Sequence, residues 1–281
     1  MKHRFDVSIG PVGFRIGSAW RAPIAALEAL YVDYPRVDGV AHYTVRLEPG
    51  RFWRQWVRPS IAIRGDHMLP DALPLPLVQG LLAAEMGMNL QLALGERRFL
   101  LLHAASVERD GHGLILTGES GSGKSTLSAL LGANGWRFMG DEFVLLDPET
   151  GLMHPFPRPV SLKNASIAAL EAVLPDTRFG PRLIETPKGD IRHLKPDMIA
   201  LAAMHQTAVP RLILFPRFGF DPVVRDVPPG ETFVRLTQAS TNYTATGERG
   251  FAALTQLVTS VPAKAIDYPD TATALEMVSR L

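Results

Sequence analysis

One stretch constrains this chain more than any other: Gly118-Glu119-Ser120-Gly121-Ser122-Gly123-Lys124-Ser125-Thr126. It fits the phosphate-binding pattern G-x-x-x-x-G-K-[ST] at every position. Gly113-Leu114-Ile115-Leu116-Thr117 before it reads as a short buried strand. Ser125 to Gly132 after it carries Leu127, Leu130 and Leu131 at helical spacing, with Asn134-Gly135 as a stop. Strand, glycine loop and helix are the context the pattern requires. Glycines let successive backbone N–H groups converge on one concavity, and the helix N-terminus adds its positive dipole end there. Lys124 is expected to reach the outer phosphates of a nucleotide, and the Ser125 hydroxyl to ligate Mg²⁺.

An acidic element should face such a loop. Asp141 follows Lys124 by 17 residues, at the end of the apolar run Trp136-Arg137-Phe138-Met139-Gly140. With one crossover helix between them, the two strands are expected to be sheet neighbours, their carboxyl ends opening on one crevice. Asp141 and Glu142 then stand beside the phosphates. Asp110-Gly111 is a strong hairpin turn, so the strand entering the loop is expected to pair antiparallel with residues 99–108. That register brings His103 toward the site. Thr186-Pro187-Lys188-Gly189-Asp190-Ile191-Arg192-His193 carries three basic side chains that could close over a terminal phosphate; as a solvated loop it would do nothing of the kind. Arg158 and Lys163 are weaker candidates.

The rest of the composition excludes more than it proposes. The chain has 281 residues, net charge +1 and no cysteine, so disulfides, thiolate zinc sites and cysteine nucleophiles are ruled out. The charge balance argues for neither nucleic-acid nor membrane partners. Met1 to Asp6 leads into no apolar core of a signal peptide, and Leu73 to Leu94 is too broken by Pro74, Pro76, Gln79, Glu85, Asn89 and Gln91 to span a bilayer. A cytoplasmic protein is expected.

Residues 1–98 read as a small α+β module: a strand pair over 5–17, a helix over Ile24 to Tyr31, a strand over Val40 to Leu47, and an interrupted strand over Phe52 to Ile63 that packs Trp53 and Trp56 into a core or sheet edge. The proline-rich connector Leu69-Pro70-Asp71-Ala72-Leu73-Pro74 follows, then a buried helix over Leu77 to Leu94. Residues 99–281 form the second unit, with a soft boundary near 95–99. Within it, 175–197 reads as a long loop, Arg211 to Phe215 as a buried strand, and Glu248 to Val258 and Thr271 to Leu281 as helices about a strand at 265–268.

Leu101-Leu102-His103-Ala104-Ala105, the glycine loop, and Gly135-Trp136-Arg137-Phe138-Met139-Gly140-Asp141-Glu142 together resemble HPr kinase/phosphorylase, and more closely the HPr-kinase-related kinase A proteins. The likeness is strong over roughly 99–146. It implies an α/β fold: a P-loop core like that of phosphoenolpyruvate carboxykinase, with a mixed sheet flanked by helices and frequent homo-oligomers. It implies an ATP- and Mg²⁺-dependent kinase acting on a serine of a protein or peptide, with Asp141 as general base, His103 orienting it, Lys124 on the phosphates, and Ser125, Asp141 and Glu142 at the metal. Glu142 stands where the family has aspartate, the E-[IV]-R-G-[LI]-G signature is absent, and residues 1–98 differ from the usual N-terminal domain. A small-molecule acceptor or a non-catalytic nucleotide-gated module are the alternatives.

Overall fold

The computed structural model describes residues 2–69, 72–186 and 189–281, and only the backbone of Glu185. Pro70 and Asp71 of the connector, and Pro187 and Lys188, lie outside the described residues.

The chain begins with the hairpin β1 (His3–Ile9) and β2 (Val12–Ser18), joined through Gly10 at φ +51°. Helix α1 (Arg21–Leu30) then carries it across to β3 (Tyr43–Pro49), which runs parallel to β2. β4 (Ser60–Gly65) and β5 (Leu75–Pro76) complete a sheet ordered β1-β2-β3-β4-β5. Alternate residues of β1 and β3 are buried, as the period of a half-exposed strand requires. Helix α2 (Gly80–Gly95) lies on this sheet and is buried over most of its surface. Among the described residues no helix is long and apolar enough to cross a membrane.

The Phe52 to Ile63 segment departs from the expected strand. Phe52–Gln55 is a 3₁₀ turn and only the residues from Ser60 onward are extended. Trp53 and Trp56, expected in a core or sheet edge, are 41% and 69% exposed. The turn lifts both rings off the sheet.

Next come β6 (Leu100–Leu102), β7 (Ala104–Arg109), β8 (His112–Thr117), α3 (Lys124–Ala133), β9 (Arg137–Gly140), β10 (Val144–Leu146), β11 (Met153–His154), β12 (Val160–Lys163) and α4 (Ala165–Glu171). The remainder is β13 (Phe179–Thr186), β14 (Gly189–Leu194), α5 (Met198–Ala202), β15 (Val209–Phe218), β16 (Val223–Val227), α6 (Pro229–Ala239), α7 (Tyr243–Ser260), β17 (Ala263–Tyr268) and α8 (Thr271–Ser279). The principal sheet is mixed, ordered β16-β17-β15-β8-β7-β9, with β8, β15 and β17 parallel at its centre. Two three-stranded sheets, β11-β10-β6 and β12-β14-β13, flank it. The fold is therefore mixed α/β.

The expected hairpin is present: β7 pairs antiparallel with β8 through Asp110 and Gly111, both at positive φ. β9 is not the direct neighbour of β8. It pairs with the far edge of β7, so one strand separates β8 from β9. Both run antiparallel to β7 and hence parallel to each other, so their carboxyl ends still open on the same side. The 99–108 run is two strands broken at His103, the first paired with β10 in a flanking sheet. Residues 175–197, expected as a loop, mostly form the antiparallel pair β13–β14.

The hydrophobic cluster beneath the first sheet includes Phe99, Leu101, Phe143, Leu145, Phe156, Leu201 and Met204, so residues on both sides of position 98 share one core. Gly10 marks the closeness of that packing: a Cβ there would overlap the Pro155 carbonyl.

Candidate active site

The loop after β8 has the backbone its glycines make possible. Gly118, Gly121 and Gly123 hold φ of +151°, +85° and +97°. At Gly123 a Cβ would also collide with the Tyr268 hydroxyl, so no larger residue fits between the loop and β17. Helix α3 starts at Lys124, and the Leu127 N–H donates to the Gly123 carbonyl at 2.8 Å. Lys124 folds back over the loop, its Nζ donating to the carbonyls of Gly118 and Glu119, each at 2.8 Å. Burial holds the Lys124 ammonium below the usual lysine range, against the raising pull of Asp141 and Glu142. The Ser122 hydroxyl is enclosed and has no hydrogen-bond partner among the described residues.

Asp141 follows β9 directly and is 7% exposed. Its carboxyl is pushed up to about 7, first by burial and then by the charge of Glu142. Against that rise act the Ser125 hydroxyl beside it and the charges of Lys124 and Lys163. The first turn of α3 and the end of β9 therefore meet at the Ser125–Asp141 contact. Of the three residues expected at a metal, this contact joins two. Glu142 turns toward His103: its backbone carbonyl lies 3.1 Å and its carboxylate 3.8 Å from His103 Nδ1. Among the described residues no three His, Cys, Asp or Glu side chains cluster as a ready-made metal cage.

His103 sits in the break between β6 and β7, its backbone N–H donating to the Ala239 carbonyl at 2.8 Å. Ala104 is paired with Thr117, so the register places His103 across from Gly118. Half of its side-chain surface is open to solvent. The strand break explains that exposure, since a residue within either apolar strand would be covered.

The basic candidates divide. Arg192 is on β14, where it pairs with Glu171 at 2.6 Å and Asp176 at 2.7 Å. His193 is buried, and burial depresses its basicity. Neither belongs to a loop free to close over a phosphate, since both lie on the strand β14 rather than in the expected loop; Lys188 lies outside the described residues. Arg158 is buried in an ion pair with Glu85 and donates to the Tyr31 hydroxyl at 3.4 Å. Lys163, the last residue of β12, is the basic side chain whose charge acts on both Lys124 and Asp141.

Beside the loop lies a crevice of about 790 Å³ that His103, Gly118, Glu119 and Ser122 share with Arg217, Arg225 and Arg235. Asp267 draws Arg217 to 2.5 Å and Arg225 to 3.6 Å. The crevice opens at the carboxyl ends of the parallel strands β8, β15 and β17, where open α/β sheets place their ligands. These arginines were not anticipated. Arg217 had a signal, since it stands just past the buried run Arg211 to Phe215 and so at a strand's carboxyl end. Arg225 and Arg235 had none.

No family model matches this chain, and no curated protein matches it. Among solved structures it is similar to the Hpr(Ser) kinase/phosphatase from Coxiella burnetii, at 17% sequence identity and a TM-score of 0.30, over 64% of this chain and 91% of that one. Superposition at that level carries no inference about activity, which rests on the geometry above.

Proposed function

We propose that this chain is an ATP–Mg²⁺-dependent kinase of the HPr-kinase-like kind, transferring the γ-phosphate to a serine hydroxyl of a protein or peptide. The observation that carries the reading is the contact between Ser125 at the mouth of the glycine loop and the buried Asp141 carboxyl, pushed up to about 7. A carboxyl with that affinity for protons matches a general base working near neutral pH. A binder of nucleotide alone has no use for it.

The donor set fits the implied cofactor. Ser125 Oγ and the Asp141 carboxylate are hard oxygen ligands held together, as Mg²⁺ prefers. When bound, ATP–Mg²⁺ supplies the phosphoryl group and neutralises its charge. The chain's own residues do the rest. The loop amides and the α3 terminus bind phosphate oxygens, and Lys124 exchanges the Gly118 and Glu119 carbonyls for them. Asp141 keeps an oxygen for the acceptor's proton after accepting from Ser125. His103 holds Glu142 in place beside it, and Lys163 adds positive charge where negative charge accumulates.

Labelled ATP, Mg²⁺ and serine-bearing peptides incubated with the purified chain test this. Phosphoserine should be found by mass spectrometry, and it should vanish with Asp141→Asn. Full turnover by that variant would remove Asp141 from the role. A second reading has its own support: the crevice beside the loop carries Arg217, Arg225 and Arg235, side chains that suit a small anionic acceptor. Label in a small product and none in peptide would select it.

A further inference from the structure

A second groove, about 1270 Å³, lies away from the phosphate loop, between the first sheet and the edge strand β13. One wall is the 3₁₀ turn and its flanks, the other Pro181 and Leu183. The lining includes Arg51, Arg54 and Arg58, and no acidic residue among the described residues. Among the described residues none of these arginines has a carboxylate partner within ion-pair distance, though Arg51 and Arg54 have other neighbours. Arg51 lies 5.2 Å over the Trp53 ring, and Arg54 donates to the Arg58 carbonyl at 3.2 Å. Elsewhere on this surface arginines do find carboxylates, as Arg21 does in Glu28 and Arg64 in Glu48. Arg58 is held at φ +45°, a conformation costly to a side chain of its kind. Beside the arginines, Phe52 and Trp56 are 76% and 69% exposed. Exposed aromatics and unpaired arginines are the residues enriched where proteins meet partners.

We infer that this groove docks an acidic segment of another polypeptide whose apolar side chains alternate with carboxylates. The three unpaired arginines supply the charge complement, Trp53 and the prolines the apolar floor. β13 pairs on one side only, with β14, and so offers a free edge to an extended chain.

The test uses the full chain without ATP, so its outcome is independent of phosphate transfer. Short fluorescein-labelled peptides of alternating Glu and Leu, their Gln counterparts and their Lys counterparts are titrated by anisotropy. The acidic peptide should bind at least about tenfold tighter than the Gln peptide, and less tightly as salt rises. Arg51→Glu with Arg54→Glu and Arg58→Glu should abolish that binding and favour the Lys peptide. Arg51→Gln with Arg58→Gln, which adds no like charge, should weaken it several-fold with circular dichroism unchanged. Equal binding of acidic and Gln peptides, or indifference to both sets of changes, overturns the inference. So does co-sedimentation with phosphatidylserine vesicles that depends on the same arginines, or a dimer in sedimentation that they control.

Discussion

Asp141 and Glu85 are both buried carboxylates, and their surroundings differ in one decisive respect. Glu85, on α2, accepts from the Arg158 guanidinium and, at 2.7 Å, from the Tyr31 hydroxyl. Arg158 also donates to Asn89, and its guanidinium is held above the usual arginine range although burial opposes this. Every charge there has an opposite charge against it. Among the described residues Asp141 has no arginine against it. Its neighbour in sequence is Glu142, and its counter-charges are two lysines acting at a distance, with one hydroxyl in contact. A buried carboxylate with a fitted guanidinium is a strut. One placed beside a like charge is held short of full ionisation, and the fold bears that cost where chemistry needs it.

The largest effect separating the two regions should be on rate. Lys124→Ala and Asp141→Asn should each lower phosphate transfer by at least about 10²-fold, read as initial rates with labelled ATP. Glu85→Gln should leave the rate within a few-fold, since the strut lies outside the reacting groups. A loss through Glu85→Gln as large as through Asp141→Asn, with the protein still folded, would erase the distinction.

Stability should show the reverse. Arg158→Ala leaves Glu85 buried and uncompensated, and urea unfolding should report a loss of about 3–5 kcal/mol. Pairing Arg158→Met with Glu85→Leu should recover most of it, because an apolar pair of similar bulk removes both desolvation penalties. Because Tyr34 also donates to the Pro157 carbonyl at 2.6 Å, the segment around Arg158 anchors α1 and α2 to the rest of the chain. The single change should therefore loosen the first sheet as well, seen as faster hydrogen exchange over residues 3–18.

Asp141→Asn should stabilise the ligand-free chain. The folded carboxyl is raised from 3.8 to about 7, so the stability tied to its protonated form is complete below the ordinary carboxylate value. That stability is lost as pH climbs to about 7. The amide cannot ionise and escapes the loss. At pH 8 the variant should exceed the wild type by about 1–3 kcal/mol, and at pH 4 the two should converge. Equal stability at pH 8 would mean that the carboxyl ionises without cost.

What could be read from the sequence follows the distance over which each feature is assembled. The glycine loop, its strand and its helix are contiguous, and Asp110-Gly111 specifies its hairpin locally, so both were legible. The place of β9 was not. A single intervening strand, β7, comes from before the loop, and nothing in the 137–140 segment states which neighbour it chooses. β13 and β14 were hidden because they alternate charge with apolar residues and carry Gly180, Pro181 and Gly189, marks of turns that edge strands also bear. Asp141 was found because it ends an apolar run at a fixed spacing from Lys124. The crevice arginines come from separate strands and a helix, and only the fold gathers them.

The smallest effect concerns Arg192, once a candidate to close over the phosphate. Its guanidinium is spent on Glu171 at the end of α4, on Asp176 in the turn before β13, and on the Gly180 carbonyl of β13 at 3.0 Å. The side chain also lies 4.8 Å over the Phe179 ring, which fixes its direction. To reach a nucleotide it would have to give up two ion pairs and a stacked ring. Arg192→Ala should therefore change transfer by no more than about twofold, while Lys163→Ala, whose charge reaches both Lys124 and Asp141, should cost about tenfold. Steady-state rates for the two variants decide the matter. If Arg192→Ala proves the more damaging, the β13–β14 hairpin moves on nucleotide binding, and the sheet described as a fixed wall is part of the catalytic machinery.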